Sequence, residues 1–191
     1  SELGLASALS KALRSTRRQF DAAALIRTMV FNRLSEPDSK LGVLRWLETV
    51  SMPDVPEVIS HDHLLRSMDA LMDRVDAVEE AVAAQLRPLL DSDLSVVFYD
   101  LTTLYFEAGD EDDLRKIGFS KDGKHQCPQI YLGLLVGLGG YAIGYDIFEG
   151  NITEDHTLIP FLEEMSRKFN LNKPIVVADA GLLSKENVKA L

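Results

Sequence analysis

The sequence predicts an α/β protein, α+β in overall arrangement: an all-helical N-terminal region, then a mixed sheet of about four strands with flanking helices. Apolar residues recur at helical spacing through the first half, and the period changes to that of strands from Leu94 onward. From there the elements run β-β-β-α-β-α.

Residues 1–90 form the helical region. Phe20 to Leu34 carries apolar positions at helical spacing; Pro37 breaks the pattern, and a short helix follows from Ser39 to about Val50. Ser51-Met52-Pro53-Asp54-Val55-Pro56 is a linker with two prolines. Leu64, Met68, Leu71, Val75, Val78, Val82, Leu86 and Leu89 then alternate in steps of three and four residues. That spacing predicts one a/d-type helix, with Ser60 as N-cap and Pro88 near its end. Its seam packs on its own domain, or in a second reading pairs with another chain.

Residues 94–191 form the sheet region. The first strand is Ser95 to Phe106, followed by the acidic Asp110-Glu111-Asp112-Asp113 and the turn-rich Gly118-Phe119-Ser120-Lys121-Asp122-Gly123-Lys124. Asp122-Gly123 is a good two-residue hairpin turn. Gln129 to Gly137 is nearly all apolar and is expected to be buried on both faces. Gly139-Gly140 turns the chain back into Tyr141 to Phe148, and Gly150-Asn151 ends that strand. Asp155, His156 and Thr157 are expected to cap a helix from Thr157 to Phe169. Pro174 starts a strand through Ala178, and Ser184 caps a last helix, Lys185 to Leu191. Three antiparallel strands, a crossover helix and a fourth strand beside the first is the order of RNase H-like domains. The sheet region is therefore expected to be the first part of one. Trp46 and Tyr105 read as core aromatics.

Composition narrows the function. With 191 residues, 46% hydrophobic and 26% charged, the chain can bury a substantial core. No apolar run reaches the ~18–20 residues of a membrane span and no signal-peptide pattern opens the chain, so a cytoplasmic protein with no membrane contact is expected. Cys127 is the single cysteine, and His61, His63, His125 and His156 are too scattered for a zinc framework. His61-x-His63 could ligate a metal on a strand, but here it opens a helix. The net charge of −10 argues against DNA held by bulk electrostatics. Residues 1–90 hold 11 Lys+Arg against 13 Asp+Glu, whereas residues 91–191 hold 9 against 17. The acidity belongs mostly to the half where cations could offset it. The chain opens at Ser1 without methionine and stops at Leu191, and is expected to be an excised piece of a longer protein.

Two acids stand out. Asp100 lies in the apolar run from Val96 to Phe106, and Asp179 ends Ile175-Val176-Val177-Ala178-Asp179. A carboxylate in a buried strand is costly unless compensated, and a divalent cation is a common compensation. In the expected strand order the two strands are neighbours, so the carboxylates could meet. Two Mg²⁺ ions about 4 Å apart, bridged by acids, activate an attacking oxygen and stabilise a leaving one in phosphodiester cleavage. Taken alone, Asp179 with Gly181 just after it reads equally as a turn or capping aspartate.

Four stretches carry a family resemblance: Tyr99-Asp100-Leu101-Thr102-Thr103-Leu104-Tyr105-Phe106-Glu107; Gly118 to Lys124 with Pro128-Gln129; Gly144 to Gly150-Asn151; and Val176-Val177-Ala178-Asp179-Ala180-Gly181-Leu182-Leu183. In this order they resemble the DDE transposases of bacterial insertion sequences, and Met29 to Leu34, Pro37 and Ser39-Lys40-Leu41 resemble that family's N-terminal region. The resemblance implies an RNase H-like catalytic core and Mg²⁺- or Mn²⁺-dependent hydrolysis at transposon ends. Attack of the freed 3′-hydroxyl on target DNA would follow. Asp100 and Asp179 would be the first two catalytic acids and metal ligands. The third, a glutamate on a later helix, has no counterpart before Leu191; Glu186 follows Asp179 too closely. The fragment alone is expected to be inactive, and the full-length protein to be a homo-oligomer on DNA. Relatives often carry Arg where Ala180 stands. Lys121, Lys124 and His125 beside the expected hairpin tip, and the basic cluster Arg14, Arg17 and Arg18, are the candidate DNA contacts; the plain alternative for both groups is a solvated surface.

Two other functions fit parts of the chain. Asp100-Leu101-Thr102 after an apolar strand could open a phosphatase with an aspartate nucleophile and Asp179 on its Mg²⁺, although that fold needs a doubly wound parallel sheet. A non-catalytic DNA-binding or oligomerisation remnant, working through the 64–89 seam, would also fit the missing third acid.

Overall fold

A computed structural model describes residues 4–14, 18–52, 54–56, 58–86, 95–107, 109–120, 122–169, 171 and 173–191. Arg17, Pro53, Pro88, Leu89, Leu94 and Lys121 lie outside them. The chain divides into two compact units, Ser1–Leu89 and Leu90–Leu191.

The first unit holds α1 (Leu5–Ala12), α2 (Ala22–Ser35), α3 (Lys40–Leu47), α4 (His61–Met72) and α5 (Val75–Leu86). Side chains cap three of these starts, each satisfying an otherwise orphan backbone N–H. Asp21 accepts from Ala24 N at 3.0 Å, and Ser39 from Gly42 N at 3.1 Å. Ser60 Oγ accepts from His63 N at 3.2 Å while His63 Nδ1 accepts from Ser60 N at 3.4 Å, a reciprocal capping box. His63 also stacks on Phe20, ring centroids 5.2 Å apart. Leu13, Leu25, Ile26, Met29, Val43, Leu64 and Val78 make the core.

Over its described residues, 64–86, the seam is two helices, not the single one predicted. Asp73 and Arg74 turn between α4 and α5, with Arg74 N bonded to Leu71 O at 3.1 Å. Apolar periodicity records which residues face a core, and a core can be shared by helices with different partners. Here α4 packs on α2 and α5 on α1, so the spacing survives a break in the backbone. Trp46 is half-buried rather than a core residue.

The second unit holds β1 (Val96–Tyr105), β2 (Gln129–Gly137), β3 (Ala142–Glu149), α6 (Asp155–Phe169), β4 (Ile175–Ala178) and α7 (Lys185–Ala190). The sheet order is β3-β2-β1-β4; β1 pairs antiparallel with β2, β2 with β3, and β4 lies parallel to β1. This mixed sheet has the strand order expected of the first part of an RNase H-like domain. It is not the doubly wound parallel sheet that an aspartate-nucleophile phosphatase requires. Val97, Tyr99, Leu135 and Ile143 on one sheet face pack with Leu158, Phe161, Leu162 and Met165 of α6. Gly140, at φ +77°, lets the β2–β3 turn close.

Two expectations fail here. β2 is buried on one face only: Gln129, Tyr131, Gly133, Leu135 and Gly137 are buried, while Leu134 is 38% exposed. An apolar run is necessary for two-sided burial but does not supply a second covering layer, and among the described residues α6 covers one face. The β1–β2 connection is also no two-residue hairpin. It runs through residues 106–128, with Gly123 in a turn at φ +73° and an isolated bridge between Lys116 and Gln129. Asp-Gly satisfies the conformational demand of a turn, but the acidic stretch before it folds on itself instead of continuing β1.

Candidate carboxylate site

Strand alternation sends Val97 and Tyr99 to the covered face of the sheet and Phe98 and Asp100 to the open one. Asp100 is therefore exposed, which corrects the expectation of an acid in a buried strand. Its chain neighbours are apolar, but only every second one belongs to the core.

Asp179 directly follows β4, also exposed, and its carbonyl accepts from Leu182 N at 3.0 Å and Leu183 N at 3.2 Å. It thus opens the turn leading to Ser184, which caps α7 by accepting from Asn187 N at 3.2 Å. Glu186 lies in the first turn of that helix, and Ala180 is exposed beside Asp179. The parallel register pairs Val96 with Ile175, Val97 with Val176, Phe98 with Val177 and Tyr99 with Ala178. The next residue in each segment is an aspartate, Asp100 within β1 and Asp179 just past the end of β4. Neighbouring strands run about 4.8 Å apart, so the two acids come at the same level along β1 and β4. Neither carboxylate makes a hydrogen bond or ion pair among the described residues, and no group of three or more His, Cys, Asp and Glu converges there. Two exposed carboxylates suit a hard cation such as Mg²⁺, which keeps several of its own waters.

Tyr99 fixes the position of this site from behind. Its hydroxyl donates to Thr157 Oγ1 at 2.8 Å, and Thr157 in turn donates to Glu154 O at 2.7 Å. The ring packs on Phe161 with centroids 5.1 Å apart and lies over Gly133, where a Cβ would meet its oxygen at 2.8 Å. Burial pushes the Tyr99 phenol up to about 12; the Thr157 hydrogen bond opposes that rise, and the charges of Asp146 and Asp100 add to it. Thr157 is therefore a buried bridge within the first turn of α6 rather than a cap, and Asp155 is already that helix's first residue.

A second cluster escaped the residue-by-residue reading. Gln129, fully buried, donates from Nε2 to Gly150 O at 2.7 Å, Phe119 O at 3.0 Å and Tyr131 Oη at 3.3 Å. Gly118 packs against the Gly150 carbonyl and Gly150 against that of Gln129, both too closely for a side chain. Gly118, Gln129 and Gly150 all fell inside the stretches singled out in the sequence, so the signal was there without its geometry.

The candidate DNA contacts divide between the units. Lys124 holds its ammonium 5.0 Å from the centroid of the half-buried Tyr105 ring, not the core aromatic expected, and His125 is exposed. Arg14 and Arg18 line a cleft of about 330 Å³ with Phe20 and Asp21, and Arg18 Nη1 donates to Leu13 O at 2.9 Å. Lys121 and Arg17 lie outside the described residues.

Fold and site together define a mixed α/β protein with a carboxylate pair at the same level of two neighbouring parallel strands. No protein-family model matches the chain, and no curated protein matches it. Among solved structures it is similar to a chain of the Mos1 transposase paired-end complex with left transposon end, at 10% identity and a TM-score of 0.34. The match covers 92% of this chain and 57% of that one, so this chain spans little more than half of its length. A likeness at that level carries no argument about function. No helix among the described residues is long and apolar enough to cross a membrane.

Proposed function

We propose that this chain is part of a DDE-type transposase and that Asp100 and Asp179 hold divalent metal for DNA strand cleavage and strand transfer. The observation that supports this is the parallel register, in which Tyr99 and Ala178 form the last pair and both following residues are aspartates. A hairpin or cap aspartate needs no partner of its own kind on a neighbouring strand. When bound, Mg²⁺ or Mn²⁺ would activate the attacking oxygen and stabilise the leaving one. The protein's own part is to hold two solvent-facing carboxylates, Asp100 on β1, which the Tyr99–Thr157 bond ties to α6, and Asp179 just past the end of β4. The third acid of such a centre is not assigned within these residues, so the chain alone binds metal and DNA without cutting.

Mn²⁺ titration of the whole chain by calorimetry tests the site. Saturable binding, lost in both Asp100→Ala and Asp179→Ala, is the expected result. Binding that survives either substitution, or no binding at millimolar Mn²⁺, would remove the proposal. Nicking of DNA by this chain, abolished in Asp100→Ala, would contradict the expected lack of cleavage.

A further inference from the structure

Phe119 is 72% exposed, yet its backbone is fastened on both sides. Its carbonyl accepts from the buried Gln129 Nε2 at 3.0 Å, and Gly118 is wedged against Gly150. On its other side Ser120, 4% exposed, donates to Tyr105 Oη at 3.0 Å and accepts from Lys124 N at 2.9 Å. A large ring held in water by a segment this constrained cannot fold back onto the core. The Ser120–Lys124 bond holds the Lys124 backbone next to the residue that follows Phe119, the Lys124 ammonium lies 5.0 Å from the Tyr105 ring centroid, and His125 is exposed. Part of the acidic stretch before it is committed internally. Asp112 takes Arg115 Nε and N, both at 2.6 Å, and Glu111 Oε1 takes Ile117 N at 2.7 Å.

We propose that Phe119 is a stacking residue for an unpaired nucleobase, with Lys124 and His125 as the flanking phosphate contacts. This rests on the reading that the chain acts on DNA, and it adds a preference for single-stranded or unpaired nucleotides. Aromatic faces stack any base, and neighbouring cations hold the backbone that carries it. A fully paired duplex offers no free base face to an isolated ring. A protein partner would need roughly 800 Å² of contact on this side, far more than one exposed phenylalanine ring provides.

The test is fluorescence anisotropy of the whole chain with a labelled oligothymidylate and with a blunt duplex of equal length, in EDTA so that no metal is bound. Phe119→Ala is expected to weaken single-strand binding about ten-fold and duplex binding little, and Phe119→Trp to retain both. Because the ring is exposed, thermal unfolding of Phe119→Ala should match the parent, which separates lost contact from lost fold. Unchanged single-strand affinity in Phe119→Ala, equal losses on both ligands, or no single-strand binding at all would overturn the proposal. Stacking without Mn²⁺ binding sinks the metal site alone; Mn²⁺ binding with a silent Phe119→Ala sinks the stacking site alone.

Discussion

The Tyr99 hydroxyl donates a 2.8 Å hydrogen bond to Thr157 Oγ1, fastening β1, one residue from Asp100, to the first turn of α6. Both partners are buried, so the bond lies where an unpaired polar atom is costly. It ties the open sheet face that carries Asp100 to the helix covering the other face.

Tyr99→Phe should cost about 1–2 kcal/mol in urea unfolding, because Thr157 keeps its bond to Glu154 O while losing its donor. The phenol's ordinary value of 10.0 is held at about 12 by burial. Between those values the unfolded chain has lost the proton and the native one keeps it. The contribution is therefore complete below pH 10 and falls away as the pH rises toward 12, by on the order of 2 kcal/mol. Stability curves measured between pH 9 and 12 should show that decline in the parent and a shallower one in Tyr99→Phe; parallel curves would contradict it.

Asp100→Asn and Asp179→Asn should each leave stability within about 0.5 kcal/mol of the parent, since both side chains are exposed and unpaired among the described residues. Saturating Mn²⁺ should raise the thermal midpoint of the parent and of neither variant, as expected of a ligand that binds only the native state. A large destabilisation by either substitution would mean that the acid serves the fold.

Gly118→Ala and Gly150→Ala should each destabilise by roughly 1–3 kcal/mol, because the added methyl meets backbone carbonyls that cannot move aside. Gly109→Ala, where a Cβ meets nothing, is the control and should be nearly neutral. Denaturant midpoints of the three variants measure this directly.

Ser60→Ala should cost about 1 kcal/mol by removing one half of the capping box at α4. Amide exchange should quicken first at His63, whose N–H loses its side-chain acceptor.

Much of this molecule was legible along the chain. The caps at Ser60 and Ser184, the Gly139-Gly140 turn and the change of period near residue 94 are local signals, and all four are realised in the structure. The strand order followed from the element order, since short turns force antiparallel neighbours and a crossover helix returns a parallel strand. Asp100 and Asp179 could be named as acids at strand positions for the same reason.

What the sequence could not decide is which apolar residues are covered. Period two assigns Asp100 and Leu134 to one face of the sheet but not whether anything lies on it, so an acid expected to be buried is exposed and β2 is buried on one side only. Helical spacing likewise ran through Asp73 and Arg74, where the backbone turns. The hub of Gly118, Gln129 and Gly150 joins residues far apart in the chain and exists only once β2 and its two flanking loops have met. Local propensity fixes where elements start and how their faces alternate; burial and contact depend on which surfaces find a partner, and tertiary structure alone settled that.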